Sequence, residues 1–163
     1  MEQFYCREMT ITDMPSILEI EETSFEYPWG NKEFGRVFKT NYKTPKLQIK
    51  RIFGITAEYK EEISGYVVYE VFRRKLQILN IAVHPKFRKL GCCTSLVNHL
   101  KSLIESYQYC KTITMEVRET NLDAQLAFRK LGFKATSILK CFFEEQEEDA
   151  YLMQYKENKM VAV

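Results

Sequence analysis

Along the first part of the chain, apolar residues recur with two different periods. Phe4 to Met9 reads as a short strand, and Thr10, Thr12, Asp13 and Pro15 then mark a helix start with Thr12 or Asp13 as its cap. Met14, Ile17, Leu18, Ile20 and Phe25 follow at helical spacing and predict a core-facing stripe, with Glu19, Glu21 and Glu22 on other faces. Tyr27-Pro28-Trp29-Gly30 breaks that pattern. Asn31 can cap a second short helix carrying Phe34, Val37 and Phe38, which ends near Thr40 before a polar loop over Asn41 to Pro45.

The middle of the chain changes period. Leu47 to Ala57 and Ile63 to Val71 are rich in β-branched and aromatic residues, with Tyr59 to Glu62 as the turn between two antiparallel strands. Leu76 to Val83 is a third strand, and because Ile78 to Val83 is apolar on both alternating faces, it is expected at the centre of a sheet covered on both sides, ending at His84-Pro85. After Gly91, Leu96, Leu100, Leu103, Ile104 and Tyr107 line one face of a long helix to about Ser106, and Thr112 to Val117 is the next strand. Asn121 to Lys130 reads as a helix stopped at Gly132, and Phe133 to Phe143 with Ala150 to Tyr155 as a closing hairpin around an acidic loop. The order β-α-α-β-β-β-α-β-α-β-β predicts an α/β (α+β) fold: one domain over 1–163, with helices on both faces of a mixed, mostly antiparallel sheet.

Composition narrows the class of protein. With 45% hydrophobic residues, 13% aromatic residues and a net charge of +2 over 163 residues, the chain can bury a core and is not a disordered polymer. Its apolar runs fall far short of the roughly 20 residues of a membrane span, and Met1-Glu2-Gln3 lacks a signal pattern, so a cytoplasmic setting without membrane attachment is expected. Cys6, Cys92, Cys93, Cys110 and Cys141 show no paired metal-ligand spacing, and His84 and His99 have no such neighbours, so reduced thiols and no metal are expected. The balanced charge argues against direct nucleic-acid binding.

Chemistry concentrates at two strand-to-helix junctions. In the first, Ile81-Ala82-Val83-His84-Pro85 leads through Lys86-Phe87-Arg88-Lys89-Leu90-Gly91 into the helix that starts at Cys92-Cys93-Thr94. Unpaired N–H groups at a helix start, a glycine and two basic side chains form a turn suited to a phosphate or pyrophosphate, although the same features serve an ordinary basic cap. Neither a P-loop nor a three-glycine dinucleotide pattern is present.

Arg88-Lys89-Leu90-Gly91-Cys92-Cys93 resembles the pyrophosphate motif of the GNAT superfamily of acetyl-CoA-dependent N-acetyltransferases, in which Gln or Arg is followed after two residues by Gly and then by a further small residue. Cys93 departs from the usual Gly or Ala at that last place. Asn80 to Pro85 is similar to the family's central strand, whose backbone pairs with the pantetheine arm like an added strand. The second junction, Met115-Glu116-Val117-Arg118-Glu119-Thr120-Asn121 with Ala127-Phe128-Arg129-Lys130-Leu131-Gly132-Phe133, resembles the family's block at the end of the next strand. Within the superfamily, Ser24 to Phe34, with Tyr27 and Trp29, is most like the protein N-terminal acetyltransferases that act on ribosomal-protein alanine. There this segment borders the acceptor peptide, while Trp29 can equally pack the turn between helices onto the core.

The resemblance implies a GNAT-type fold, acetyl-CoA as co-substrate held by Ile81, Ala82, Val83, Arg88, Lys89, Leu90, Gly91, Cys92, Cys93, Thr94, Asn121 and Phe128, and Glu116 as general base. A Glu in an apolar strand can also face solvent or pair with Arg118; alternation puts Ile113, Met115 and Val117 on one face and Glu116 on the other. Asn121 is also a good N-cap. Where the family has a tyrosine as general acid, Phe128 keeps the ring and loses the proton, and Tyr107, Tyr151 or Tyr155 are the alternatives at hand. Phe142 and Phe143 stand where related enzymes tend to have two tyrosines against the acceptor. The implied partners are acetyl-CoA and a protein N-terminus or small amine, on a monomer or homodimer. A lysine or small-molecule acetyltransferase, or a non-catalytic CoA-binding protein of this fold, are the other readings.

Overall fold

The computed structural model describes residues 3–39, 51–72, 74–106 and 110–157. The end of the second helix at Thr40, the loop to Pro45, the start of the next strand at Leu47 and the side chain of Tyr107 lie outside them. The element order is the predicted one: β1 (Tyr5–Glu8), α1 (Met14–Ser24), α2 (Asn31–Lys39), β2 (Arg51–Tyr59), β3 (Glu62–Phe72), β4 (Lys75–Val83), α3 (Cys92–Ser106), β5 (Thr112–Arg118), α4 (Leu122–Lys130), β6 (Lys134–Phe143) and β7 (Glu148–Lys156).

Seven strands form one sheet in the order β1-β2-β3-β4-β5-β7-β6, and every neighbouring pair is antiparallel except β4 and β5. The turn between β2 and β3 places Lys60 and Glu61 at φ of 50° and 66°. Both central residues are left-handed there, as the twist of a two-residue hairpin requires. β4 is central, as its two apolar faces predict. On one side α3 buries Leu96, Leu100 and Ile104 with Ile78, Ile113, Met115 and Val117. On the other, Met14, Ile17 and Ile20 of α1 and Phe34 and Val37 of α2 pack on Tyr66, Val68 and Ala82. Each fully buried Leu or Ile contributes about 1.5–3 kcal/mol.

Two irregularities shape the centre of the sheet. Val68 pairs with Asn80 but Tyr69 pairs with Ile78, so Leu79 is an extra residue in β4. Without it, strict alternation would point Asn80 to the side of Leu76 and Ile78; the bulge turns it toward α1. Likewise Ala57 pairs with Gly65 and Glu58 with Ile63, so Ser64 is extra in β3. Its hydroxyl donates to the Ala57 carbonyl at 2.8 Å and its own carbonyl accepts the His84 N–H at 2.9 Å.

One expected surface position lies inside. Glu21 is 0% exposed: it lies four residues after Ile17 and seven after Met14, on the core stripe itself. At the closing hairpin, Glu148 pairs with Arg118 at 2.9 Å and Asp149 with Lys140 at 2.5 Å. His99 is half-buried, and burial lowers its pKa.

Candidate active site

The turn after β4 is anchored from below. Phe87 is buried against Phe4, Tyr59 and His84, and the His84 ring accepts the Lys86 N–H at 3.2 Å. Lys89 and Gly91 adopt φ of 62° and 102°. At Gly91 an added Cβ would meet nothing within 4 Å, so the backbone angle, not space, calls for glycine. The first helical bond of α3 runs from Ser95 N–H to the Gly91 carbonyl at 2.9 Å, which leaves the N–H groups of Cys92, Cys93 and Thr94 without intrahelical acceptors. This is the anion-receiving end of a 15-residue helix.

Arg88 does something the sequence does not suggest. Its Nε donates to the Val83 carbonyl and its Nη2 to the Ser24 hydroxyl, each at 3.0 Å, so it ties the turn to the end of α1. Exposed Lys89 and Thr94, with the helix-start amides, carry the turn's remaining polarity, and Leu90 stands 45% exposed beside them. Cys92 is buried with its Sγ 3.4 Å from the Ser64 hydroxyl. Burial pushes both Cys92 and Cys93 up to about 11, so they are neutral small residues and not nucleophiles near pH 7.

Beside this turn the sheet opens. Rungs between β4 and β5 run only from Lys75–Thr112 to Ile78–Met115, so Leu79 to Val83 and Glu116 to Arg118 continue without pairing to one another. Ile81, Ala82 and Val83 bond to β3 on their other edge, opposite Val67, Tyr66 and Gly65. Gly65 is needed for this packing: a Cβ there would lie 2.8 Å from the Ala82 carbonyl oxygen and 2.9 Å from Cys92 Sγ.

Glu116 is the first β5 residue past the last rung, partly buried, on the face away from Met115 and Val117. Gln77 Nε2 donates to both of its carboxylate oxygens, at 3.0 and 3.2 Å. Beyond it, the Arg118 guanidinium lies 3.8 Å from the centroid of the Phe143 ring, and Phe142 packs edge-on to Phe143 at 5.1 Å while remaining 45% exposed. Tyr27 is 52% exposed in the α1–α2 loop, and Trp29 packs edge-on to Phe34 at 5.6 Å. Glu116, Arg118 and the α1–α2 loop thus lie on the same side of the sheet.

Two aromatic expectations are placed differently. Phe128 is 3% exposed and packs edge-on to Phe133 at 5.3 Å, so its ring belongs to the core beneath α4. Tyr151 and Tyr155 pair with Val117 and Ile113 and share their face, opposite Glu116; Tyr155 also packs on Phe133 and under Lys101. Asn121 caps α4, its Oδ1 accepting the Ala124 N–H at 3.1 Å.

Sequence reasoning missed Gln77, Ser64, Gly65 and Glu21. A glycine inside a strand and a Glu at the i+4 position of an apolar stripe were the available signals. Glu21 Oε1 accepts from the Tyr66 hydroxyl and the Asn80 amide, and Oε2 accepts the Trp29 N–H at 3.2 Å. Burial nevertheless raises its pKa, against the lowering effect of those three donors. Among the described residues no group of three or more His, Cys, Asp or Glu could hold a metal ion, and no helix is long and apolar enough to cross a membrane.

The family model described as "Acetyltransferase (GNAT) family" matches residues 14–133. A [Ribosomal protein bS18]-alanine N-acetyltransferase of Salmonella typhimurium is 27% identical over 147 residues, covering 89% of this chain and 92% of the relative. An N-alpha-acetyltransferase of Sulfolobus acidocaldarius is 29% identical, covering 92% and 90%. The crystal structure of the ribosomal-protein-S18-alanine N-acetyltransferase from Escherichia coli superposes with a TM-score of 0.78 at 22% identity, over 99% of this chain and all of that one. The basic turn with its helix-start amides, the parted β4 and β5 strands and these matches lead to one assignment: the chain belongs to the GNAT acetyltransferase family and is an N-acetyltransferase with acetyl-CoA as co-substrate.

Proposed function

We propose that this enzyme acetylates the α-amino group of a protein N-terminus, with Glu116 as general base. The observation that carries the reading is the placement of Glu116: its carboxylate sits immediately past the last β4–β5 rung, oriented by Gln77, on the side of the α1–α2 loop. The names of the two relatives, one acting on a ribosomal-protein alanine and one an N-alpha-acetyltransferase, support the choice of acceptor.

An α-amine has a reference pKa of about 7.7–8.0 and is mostly protonated at neutral pH. Glu116 accepts that proton directly or through one water, and the neutral nitrogen attacks the thioester carbonyl. The N–C bond forms through a tetrahedral intermediate. Backbone amides of Ile81 to Val83 orient the carbonyl, the C–S bond breaks, and the thiolate takes up the proton that the attacking nitrogen sheds and leaves as CoA. No acyl-enzyme is required, in keeping with the raised thiols of Cys92 and Cys93. The amides at Cys92 to Thr94 and Lys89 hold the pyrophosphate, and Tyr27, Trp29, Phe142 and Phe143 wall the acceptor. The reading extends to a cytoplasmic setting, supported by an odd set of five cysteines without paired spacing.

The test is thiol release from acetyl-CoA with short peptides bearing free Ala, Ser, Met or Gly amino termini, beside an amino-blocked lysine peptide and a polyamine. Turnover confined to free amino termini is expected; turnover on the lysine peptide or polyamine alone would overturn the acceptor assignment.

A further inference from the structure

The α1–α2 loop is joined to the sheet through one buried carboxylate. Glu21 is 0% exposed, and its three partners are the Tyr66 hydroxyl on β3, the Asn80 amide on β4 and the backbone N–H of Trp29 in the loop. None of these is a cation. A carboxylate buried without a positive partner is costly, and an apolar residue at this place in the stripe would be cheaper. Stability alone therefore does not account for the residue type; what it reaches does.

Each partner belongs to a different part of the site. Trp29 lies in the loop that carries Tyr27. Asn80 follows Leu79, the bulged residue, and directly precedes Ile81 to Val83. Tyr66 supports the loop a second way, because Phe34 packs edge-on against both Trp29, at 5.6 Å, and Tyr66, at 5.5 Å. Trp29, Phe34, Tyr66 and Glu21 form a closed circuit that returns to the Trp29 N–H.

The geometry points to Glu21 as a positioning residue for the acceptor: its carboxylate holds the Tyr27–Trp29 wall in register with the β4 bulge, and so governs acceptor binding and not acetyl-CoA binding. This rests on the reading above that the α1–α2 loop borders the acceptor. A carboxylate is required because it is acceptor-only and can take three donors, whereas glutamine offers one oxygen and an NH₂ that donates. The Tyr66 hydroxyl and the Asn80 amide can reverse their roles, but the Trp29 backbone N–H cannot. Glu21→Gln keeps the shape and forces loop and sheet to compete for one oxygen.

Trp29 is the only tryptophan in the chain, so its emission reports this loop directly. The experiment compares full-length wild type, Glu21→Gln and Tyr66→Phe by acrylamide quenching and by initial rates with each substrate varied. Tyr66→Phe keeps the ring against Phe34 and removes one donor; it carries the test where Glu21→Gln does not fold. In Glu21→Gln, quenching of Trp29 is expected to rise and the acceptor KM to increase about tenfold, the worth of one good hydrogen bond, with the acetyl-CoA KM within about twofold of wild type. Tyr66→Phe moves the same quantities less. Unchanged quenching in the folded variants, or a rise in the acetyl-CoA KM with the acceptor KM unmoved, would overturn the proposal. The acceptor KM is measured with whichever amine the wild type turns over, so turnover only on a lysine peptide or polyamine refutes the N-terminal assignment while the same split still decides the role of Glu21.

Discussion

Gln77, one residue before the last β4–β5 rung, and Glu116, one residue past it, meet diagonally across the two parallel strands, and the Gln77 amide reaches both oxygens of the Glu116 carboxylate. Side chains on β4 and β5 thus fix the rotamer of the proposed base before any substrate arrives. A preorganised base needs no rearrangement as the amine loses its proton. The pair is also invisible to a motif, since its members are 39 residues apart.

Glu116→Gln is expected to lower kcat by about 10²–10⁴, the usual contribution of a general base. Calorimetric CoA affinity should stay unchanged, because the turn at Lys89 to Thr94 is untouched. Gln77→Leu should reduce kcat by less, with the acetyl-CoA KM unaltered. Steady-state thiol release on both variants measures the difference; wild-type kcat in Glu116→Gln would remove the proposed base.

The two glycines near the turn should respond differently to alanine. At Gly91 the added methyl has room but φ is 102°, so the expected cost is backbone strain of about 1 kcal/mol with weaker acetyl-CoA binding. At Gly65 the methyl would sit 2.8 Å from a backbone oxygen of β4, and either the strand or the start of α3 must move. Gly65→Ala should therefore show the larger fall in Tm, read by thermal unfolding beside CoA titration.

Phe128 is buried against Phe133, and tyrosine there would add a hydroxyl to an apolar site. Without a partner that hydroxyl costs about 1–3 kcal/mol. We expect Phe128→Tyr to lower the Tm of the unliganded enzyme and to raise kcat by less than about tenfold, since a thiol of pKa about 8.5 leaves readily without an acid. Unchanged Tm would mean that the hydroxyl finds a partner in the unliganded state.

Acid stability should depend on Asp13. Burial would raise its pKa, but two hydrogen bonds from Arg7, at 2.7 and 2.8 Å, and one from the Thr10 N–H bring it below the ordinary 3.8. A depressed folded pKa stabilises the protein above the unfolded value and loses that contribution as pH falls through the folded one. Glu21 has the opposite sign: its raised pKa favours the fold at low pH, and that contribution is lost as pH rises through the folded value. Urea denaturation from pH 2.5 to 8 should show Asp13→Asn flattening the acid limb and Glu21→Gln removing the fall in stability that Glu21 imposes as pH rises.

Thiol labelling offers an independent check of burial. Cys141 is exposed, whereas Cys92 and Cys110 are buried and burial raises both thiols. Iodoacetamide at pH 7.5 should modify Cys141 first by mass spectrometry. Early labelling of Cys92 would mean that the start of α3 opens.

The order of elements, the central place of β4 and the face on which Glu116 stands are legible in the residues alone, because these follow from short-range periodicity and from which residues can lie against a core. The basic turn with its glycine was legible for the same reason: a helix start and a left-handed residue are local features. That Glu21 is inside, that Arg88 reaches back to Ser24, and that Phe128 fills the core beneath α4 emerges only from the folded chain. Periodicity assigns a residue to a face but does not say which groups wait there. A glutamate on an apolar stripe reads as solvent-facing until three donors, from residues 8, 45 and 59 positions away, are folded around it. The Leu79 bulge belongs to the same class: one extra residue in β4 is defined only against its β3 partner, and it alone turns Asn80 toward that carboxylate.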